Sequence, residues 1–346
     1  MRLEEICTVF TDGDWIESKD QSDDGIRLVQ TGNIGEGIYL EKEARAKYIS
    51  EETFEKLKCT EIFPGDILVS RLPDPVGRAC IIPEKEERMI TAVDCTICRP
   101  NESIISKEYL CYFMRSSAYY KRLLGSVTGT TRKRISRKNL GNVELEVPSK
   151  ERQMDVVEQL DCLVKVIESR KQELQLLDNL IKARFVEMFG DPIINSKYLE
   201  TKKLKDMLIL KAGDFTAASD ISDIQTETNP YPCYGGNGIR GYVSEYNQEG
   251  EYSLIGRQGA LSGNIQFASG KFKNTEHALL VTPIVEINTI WLNQLLLNLD
   301  LKRYQTGAAQ PGLSVKNLQE ISIIIVPMVE QNQFADFVRA VDKSKF

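Results

Sequence analysis

One thirteen-residue pattern occurs twice in this chain: TGTTRKRISRKNL at residues 128–140 and TGAAQPGLSVKNL at residues 306–318, a constant offset of 178. In both copies the register continues without a gap into alternating apolar residues, which predict a strand, then a proline and a helical pattern. A shared segment followed by the same order of elements indicates that a whole folding unit is duplicated. We therefore expect two copies of one α/β unit of roughly 150 residues.

The match extends upstream of this pattern, although the offset changes there. PGDILVSR at residues 64–71 matches GEYSLIGR at residues 250–257, and the unit starts at residues 2–15 and 203–215 also resemble each other. A changing offset is expected where loops differ in length between the copies. The duplication therefore covers the unit from its start to its end.

A long helix is predicted between the two copies. Its apolar residues are spaced alternately four and three positions apart, which is typical of a coiled-coil seam. Arg170 and Arg184 occupy two positions where this spacing would place an apolar residue. Gly190-Asp191-Pro192 then ends the helix. The seam is formed by Val156, Leu160, Leu163, Ile167, Leu174, Leu177, Ile181 and Met188.

These patterns predict four segments along the chain. They are a first domain at 1–150, a spacer helix at 151–192, a second domain at 193–327 and the start of a second spacer helix at 328–346. By comparison with the first spacer, the second is expected to be about two dozen residues longer than the part present.

Charge is distributed unevenly along the chain. The 346 residues carry a formal net charge of -6, which argues against a protein that coats nucleic acid non-specifically. Residues 109–143 nevertheless hold eight basic residues and no acidic one. No apolar run approaches the ~20 residues of a membrane helix, and the start has no apolar signal core, so we expect a cytoplasmic protein without a membrane partner.

The chain shows no pattern typical of bond chemistry. His277 is the single histidine, which excludes a two-imidazole metal site within one chain, and we interpret it as structural. Cys95 and Cys98 have ligand-like spacing but no second pair, so they are interpreted as reduced thiols of a buried strand. Asn-Pro-Tyr-Pro at 229–232 is an incomplete methyltransferase box and is interpreted as a turn. No catalytic residue and no metal site are predicted.

Taken in order, these parts resemble the specificity subunit of type I restriction-modification systems. The resemblance rests on the two copies of Thr-Gly-x-x-x-x-x-Ile/Leu-Ser-x-Lys-Asn-Leu, the GDILVSR strand at residues 65–71 and the spacer end RFVEMFGDP at residues 184–192. It covers essentially the whole chain. The fold that it implies is α/β (α+β), with two similar target recognition domains in tandem repeat, separated by a long coiled-coil-type spacer helix.

The resemblance also implies a function in bacterial defence. In that family each domain reads one half of a bipartite double-stranded DNA site, and the spacer helices dock two methyltransferase subunits. The specificity subunit is not itself catalytic. S-adenosylmethionine, ATP and magnesium would be bound by the methyltransferase and restriction subunits, so no cofactor is expected in this chain.

Candidate DNA contacts follow from the side chains near the repeated segments. Arginine, glutamine and asparagine can pair with base edges, and glycine-rich loops allow close approach. Candidate base or groove readers are Arg71, Arg78, Arg257, Gln258, Asn264, Tyr234 and Asn237. Candidate phosphate contacts are Arg132, Lys133, Arg134, Arg137 and Lys138. Because the second copy has Gln-Pro-Gly at the positions of Arg132 to Arg134, we expect a larger, more salt-sensitive phosphate contribution from the first domain.

Two alternatives remain open at this point. One is a protein-interaction scaffold built on the coiled coil, and the other is a self-contained DNA methyltransferase. Enrichment of a bipartite DNA motif would separate a DNA reader from a scaffold, and binding of S-adenosylmethionine by the purified chain would be required of a methyltransferase.

Overall fold

The computed structural model describes residues 1–129, 133–259, 261–306 and 312–345. The chain forms two compact units, Met1–Ile167 and Glu168–Phe346. Each unit combines β-sheets with helices, which confirms the predicted fold class.

The first unit is built on two four-stranded sheets, with strand orders β1-β8-β5-β6 and β3-β2-β7-β4. The strands are β1 (Cys7–Asp12), β2 (Ile26–Val29), β3 (Tyr48–Ile49), β4 (Glu61–Ile62), β5 (Ile67–Ser70), β6 (Ala79–Ile81), β7 (Met89–Thr91) and β8 (Cys95–Pro100). The helices are α1 (Glu51–Leu57), α2 (Lys107–Phe113), α3 (Ser117–Leu124), α4 (Arg137–Gly141) and the first part of α5 (Lys150–Phe189).

The second unit contains a six-stranded sheet of order β10-β15-β13-β14-β11-β12 and the pair β16-β9. The strands are β9 (Thr201–Lys203), β10 (Leu208–Ala212), β11 (Tyr231–Gly235), β12 (Gly238–Val243), β13 (Gln248–Gly256), β14 (Ile265–Asn274), β15 (Ala278–Pro283) and β16 (Ser322–Ile324). Its helices are the end of α5, then α6 (Thr289–Asn298), α7 (Val315–Gln319) and α8 (Met328–Lys343).

The duplication read from the sequence is present in the sheets. The order β10-β15-β13-β14 of the second unit repeats β1-β8-β5-β6 of the first, and every neighbouring pair in both sets is antiparallel. Even the register agrees, since Cys7 lies opposite Pro100 as Leu208 lies opposite Pro283. The GDILVSR segment forms β5, and its counterpart forms the end of β13.

A buried glutamine has the same structural role in both units. The Gln153 side chain in α5 accepts a hydrogen bond from the Ser106 backbone N–H (2.8 Å) at the start of α2, and it donates to the Ile104 carbonyl (2.9 Å). Gln331 in α8 likewise accepts from the Asn288 N–H at the start of α6 (2.9 Å). Each glutamine therefore fixes the last helix of its unit to the helix that follows the sheet.

Replacing Gln153 by alanine should destabilise the first unit by about 2 kcal/mol, because a buried backbone donor and buried carbonyls lose their partner. The measurement is urea denaturation of the full chain followed by circular dichroism. Gln175→Ala is the matched control, since Gln175 lies exposed on the same helix. Equal midpoints for the two variants would contradict the proposed role.

Helix α5 occupies most of the predicted spacer segment. It has 40 residues and ends at Phe189, followed by Gly190, whose φ of 76° is in the left-handed region that favours glycine. The Lys197 ammonium donates to the Met188 carbonyl (3.1 Å) in the last turn, where a cation is favourable. Among the described residues, no helix combines the length and apolar character needed to span a membrane.

The predicted seam of α5 is only partly buried. Leu163 and Ile167 are 57% and 53% exposed, whereas Ile181 is buried. Near its end the helix packs through Phe185 and Phe189, which the heptad series did not include. At its end the predicted seam does pack, since Ile181 is buried and Leu177 and Met188 lie against the same cluster, but the prediction left out the two phenylalanines.

Two further local predictions differ from the structure. Alternating residues 143–147 were expected to form a strand, but only a single bridge joins Arg2 and Glu144, whereas the equivalent residues of the second unit form β16. Tyr231 and Pro232 were interpreted as a turn, and they instead begin β11. Cys95 and Cys98 lie in the buried strand β8 as predicted, and burial raises the pKa of the Cys95 thiol to about 12.

Candidate nucleic-acid interface

The repeated pattern builds the same closed turn in both units. Thr128 and Arg134 exchange two backbone hydrogen bonds of 2.9 Å, and the next residue, Ile135, donates its N–H to the Arg71 carbonyl at 3.2 Å. The turn is thereby joined to the end of β5, and the buried Ile135 side chain holds it on the core.

In the second unit, Thr306 and Gly312 exchange backbone hydrogen bonds of 2.9 and 3.0 Å, and the N–H of Leu313 donates to the Arg257 carbonyl at 2.9 Å. Arg71 and Arg257 therefore stand at equivalent points, each just beyond the end of a central strand. This equivalence defines one candidate surface per unit at the same end of the sheet.

Three arginines of the first surface are held by two carboxylates. The Arg71 guanidinium lies 3.3 Å from Asp12 Oδ2 and donates to the Val93 carbonyl at 2.6 Å, and burial lowers its pKa. Arg134 pairs with Asp94 at 2.9 Å, and Arg137 lies 4.0 Å from Asp12. The Arg71 side chain is only 6% exposed and therefore has a supporting role inside the protein. The side chains of Arg134 and Arg137 are 45% and 48% exposed and reach solvent.

Arg78 lies at the centre of a loop network. Its guanidinium donates to the backbone carbonyls of Ile34 (2.7 Å), Leu72 (2.9 Å) and Thr31 (2.9 Å). Because these contacts engage Nε and both terminal nitrogens, the side chain is directed at the protein's own loops. Its role as a base reader stays a prediction.

Two of the remaining basic candidates, Lys133 and Lys138, are exposed. Lys133 lines a cleft of about 420 Å³ together with Val76, Leu123 and Leu124, and Lys138 lies exposed on α4. Arg132 lies outside the described residues. The first surface thus combines exposed cations with an apolar cleft.

In the second unit, three predicted readers come together although they are distant in sequence. Asn237 and Gln258 line one cleft of about 430 Å³, and Asn264 donates its side-chain N–H to Asn237 Oδ1 at 3.1 Å. Arg240 and His277 also line this cleft. Sequence reasoning missed Arg240 as a candidate and interpreted His277 as structural; the position of Arg240 beside the glycine-rich turn at residues 235–238 was the available signal.

Arg257 and Tyr234 are placed differently from this cluster. Arg257 is half-buried. The Tyr234 ring packs edge-on against Phe272, with 5.5 Å between the ring centroids, and burial raises the pKa of its hydroxyl. Tyr234 therefore contributes packing in this structure, and its role as a reader stays a prediction.

A second retained element is exposed in both units. Trp15 and Phe215 follow Gly-Asp at equivalent positions and are 70% and 79% exposed. The match between the two unit starts identified this position in the sequence, but the sequence did not indicate that the aromatic rings are exposed. Within the described ranges, no group of three or more His, Cys, Asp or Glu side chains is placed to hold a metal ion.

Fold and site together define a tandem-repeat protein with one candidate nucleic-acid surface in each unit. The sequence matches the family model "Type I restriction modification DNA specificity domain" twice, over residues 1–179 and 197–346. Since these matches cover most of the chain, the protein belongs to this family. The resemblance drawn from the sequence is confirmed, and the family supplies the specificity component of such systems, not their catalytic one.

Individual relatives agree with this assignment. Over 130 residues the chain is 45% identical to the Type I restriction enzyme EcoprrI specificity subunit of Escherichia coli, covering 38% of this chain and 32% of that protein. It is 33% identical over 112 residues to a putative type I specificity subunit of Haemophilus influenzae, covering 32% of this chain and 29% of the relative. The matches thus span about a third of the length of these relatives.

The fold is also found among solved structures. The type I restriction-modification S subunit from M. genitalium superimposes with a TM-score of 0.56 at 15% sequence identity, covering 100% of this chain and 89% of the other. At this identity the likeness concerns the fold. It supports the arrangement of two tandem units.

Proposed function

We propose that this chain is the DNA-reading subunit of a type I restriction-modification complex and that each unit binds one half of a bipartite double-stranded target. The observation that carries the proposal is the equivalence of the two surfaces. Both close the repeated turn on an arginine carbonyl at the end of a central strand, Arg71 or Arg257. The exposed side chains around these points differ, as two readers of different half-sites require.

The chemistry of the two surfaces suits different parts of DNA recognition. Arg134, Arg137 and Lys138 can contact phosphates, which supply affinity and salt dependence. Asn237 and Gln258 carry amides that can bond two edge atoms of adenine. We infer that the first unit contributes more to backbone binding and that the second depends more on base contacts.

The same proposal assigns the partners. Methyltransferase subunits would dock on the helices, with the restriction subunit joining them, and these subunits would bind S-adenosylmethionine, ATP and magnesium. The exposed apolar residues Leu163, Ile167 and Leu176 of α5 favour a protein-binding role for this helix. The chain itself would perform no bond chemistry.

The direct test is selection from a random duplex library by the chain together with its methyltransferase subunit, followed by sequencing. A motif with two specified halves and a fixed gap is expected. No enriched motif would overturn the proposal and favour a scaffold. Calorimetric binding of S-adenosylmethionine by the chain alone would favour a self-contained methyltransferase.

The double variant Asn237→Ala, Gln258→Ala should lose base preference in one half of the motif only. At about 1–3 kcal/mol for each bidentate amide contact, discrimination at the affected positions should fall about tenfold or more. The matched control is Gln175→Ala, Asn179→Ala, an exposed amide pair on α5 joined at 3.2 Å. An unchanged motif, or equal loss in both halves, would show that this cleft does not read bases.

A further inference from the structure

The Gly-Asp-aromatic positions belong to a longer segment that occurs twice. GDWIESKDQSD at residues 13–23 and GDFTAASDISD at residues 213–223 align at a constant offset of 200 and share Gly, Asp, an aromatic residue, Asp, Ser and Asp at six positions. We call these two stretches the aromatic segments. Elsewhere in the units the loops diverge, so this agreement marks a feature that both units keep.

The two aromatic segments also have the same structure. Each begins with a parallel β-bridge, at Asp14 or Asp214, and continues through a short 3-10 turn. A serine, Ser22 or Ser222, follows the turn. The hydroxyl of this serine donates to the carbonyl two residues later at 2.7 Å in both units. A Cβ on Gly13 or Gly213 would lie 2.3 or 2.1 Å from a backbone oxygen, so both glycines are required by close packing. The main chain is therefore fixed.

The fixed backbone presents an apolar ring to solvent. Trp15 is 70% and Phe215 is 79% exposed, so neither ring supports the core of its unit. A single exposed apolar side chain is ordinary, but two at equivalent positions of diverged units indicate a retained contact. Large aromatic rings are also the side chains that most often carry binding energy at protein interfaces.

The retained charges indicate what the rings contact. All three charged positions common to the segments are aspartates, at 14, 20 and 23 and at 214, 220 and 223. Asp23 and Asp223 are exposed, and Lys19 of the first segment is replaced by Ser219 in the second. Carboxylates repel DNA phosphates and attract a basic protein surface. A protein partner is thus favoured over the nucleic acid.

We propose that Trp15 and Phe215 are two equivalent docking points, each inserting into an apolar socket with a basic rim on one copy of the methyltransferase subunit. This rests on the proposed function, which supplies a partner present in two copies. Trp15 lies three residues from Asp12, which pairs with Arg71 of the predicted DNA surface. Three residues span at most about 11 Å, so a partner bound at Trp15 would lie near that surface. The contact would place the partner beside the bound duplex.

The test uses the full chain and its methyltransferase subunit without DNA. Native mass spectrometry counts the copies bound, and fluorescence anisotropy measures binding of the selected target duplex by the chain alone. Trp15→Ala and Phe215→Ala should each weaken one of the two sites about tenfold or more, and the double variant should weaken both. DNA binding by the chain alone should stay within about twofold of wild type. Tyr198→Ala, a 93% exposed aromatic outside the segments, should leave both measurements unchanged.

A second variant tests the charges. Asp23→Lys combined with Asp223→Lys should also weaken both sites, because the basic rim would then face cations. If the double aromatic variant keeps both methyltransferase copies at wild-type affinity, or loses DNA binding while keeping them, the inference is overturned and the proposed function stands. If the wild-type chain binds neither the subunit nor a DNA motif, both fail.

Discussion

The double variant Arg134→Gln, Arg137→Gln should bind the target duplex about 100-fold more weakly than wild type. Both side chains are nearly half exposed at the end of the first sheet, and their carboxylate partners orient them without burying them. A hydrogen bond to a charged group contributes about 1.5 kcal/mol or more, so two phosphate contacts correspond to about two powers of ten. Asp12 keeps Arg71 as a partner, so the fold should persist.

The measurement is fluorescence anisotropy at several salt concentrations. Loss of two phosphate contacts should reduce the slope of log affinity against log salt by about two. Arg152→Gln combined with Arg170→Gln removes the same charge from α5, where the two side chains are 61% and 38% exposed, and is the matched control. In the second unit, Lys316→Gln should have a smaller effect. If the control weakens binding equally, general charge rather than these two contacts explains the affinity.

The second large effect concerns stability. Phe185→Ala should lower the free energy of unfolding of the second unit by about 3–5 kcal/mol, since it leaves a large cavity in a fully buried cluster. The Phe185 ring centroid lies 5.1 Å from that of Phe189, 5.4 Å from that of Phe334 and 6.5 Å from that of Trp291. The ring therefore joins α5, α6 and α8 of this unit.

Urea denaturation followed by tryptophan fluorescence measures this loss, because Trp291 is buried in the same cluster whereas Trp15 is exposed. Leu176→Ala is the control on the same helix, with its side chain 67% exposed. The control should change the free energy of unfolding by less than about 0.5 kcal/mol. Similar losses for both variants would mean that α5 is not held through its aromatic residues.

The sequence predicted the architecture well because the two copies share residues that the fold requires. Ile135 and Leu313 are buried, and the glutamines Gln153 and Gln331 make equivalent hydrogen bonds. Such residues recur for packing reasons, so aligning the chain with itself detects them. The burial of Phe185 and Phe189 at the end of α5 was not predicted, because their partners Phe334 and Trp291 are distant in sequence.

The candidate surface was predicted less completely. Residue type and glycine-rich context selected Asn237, Gln258 and Asn264 individually, and the structure places them together. Their role as readers stays a prediction. The same reasoning could not show that Arg78 turns toward backbone carbonyls or that Tyr234 packs on Phe272. Side-chain direction in a loop depends on which carbonyls and rings lie nearby, and one sequence does not contain that information.

The closed turn of the repeated pattern has an evolutionary consequence. Its ends are joined by backbone hydrogen bonds between Thr128 and Arg134 and between Thr306 and Gly312, which any residue other than proline can make. The first position between each closing pair is glycine in both copies, and the φ of 96° at Gly129 favours glycine. The other four positions can change without removing the closing bonds, as the basic sequence of one copy and the neutral sequence of the other illustrate. Under the proposed function, we expect a lineage to change its target preference by point changes or recombination at these positions, while the framework offered to partner subunits is inherited unaltered.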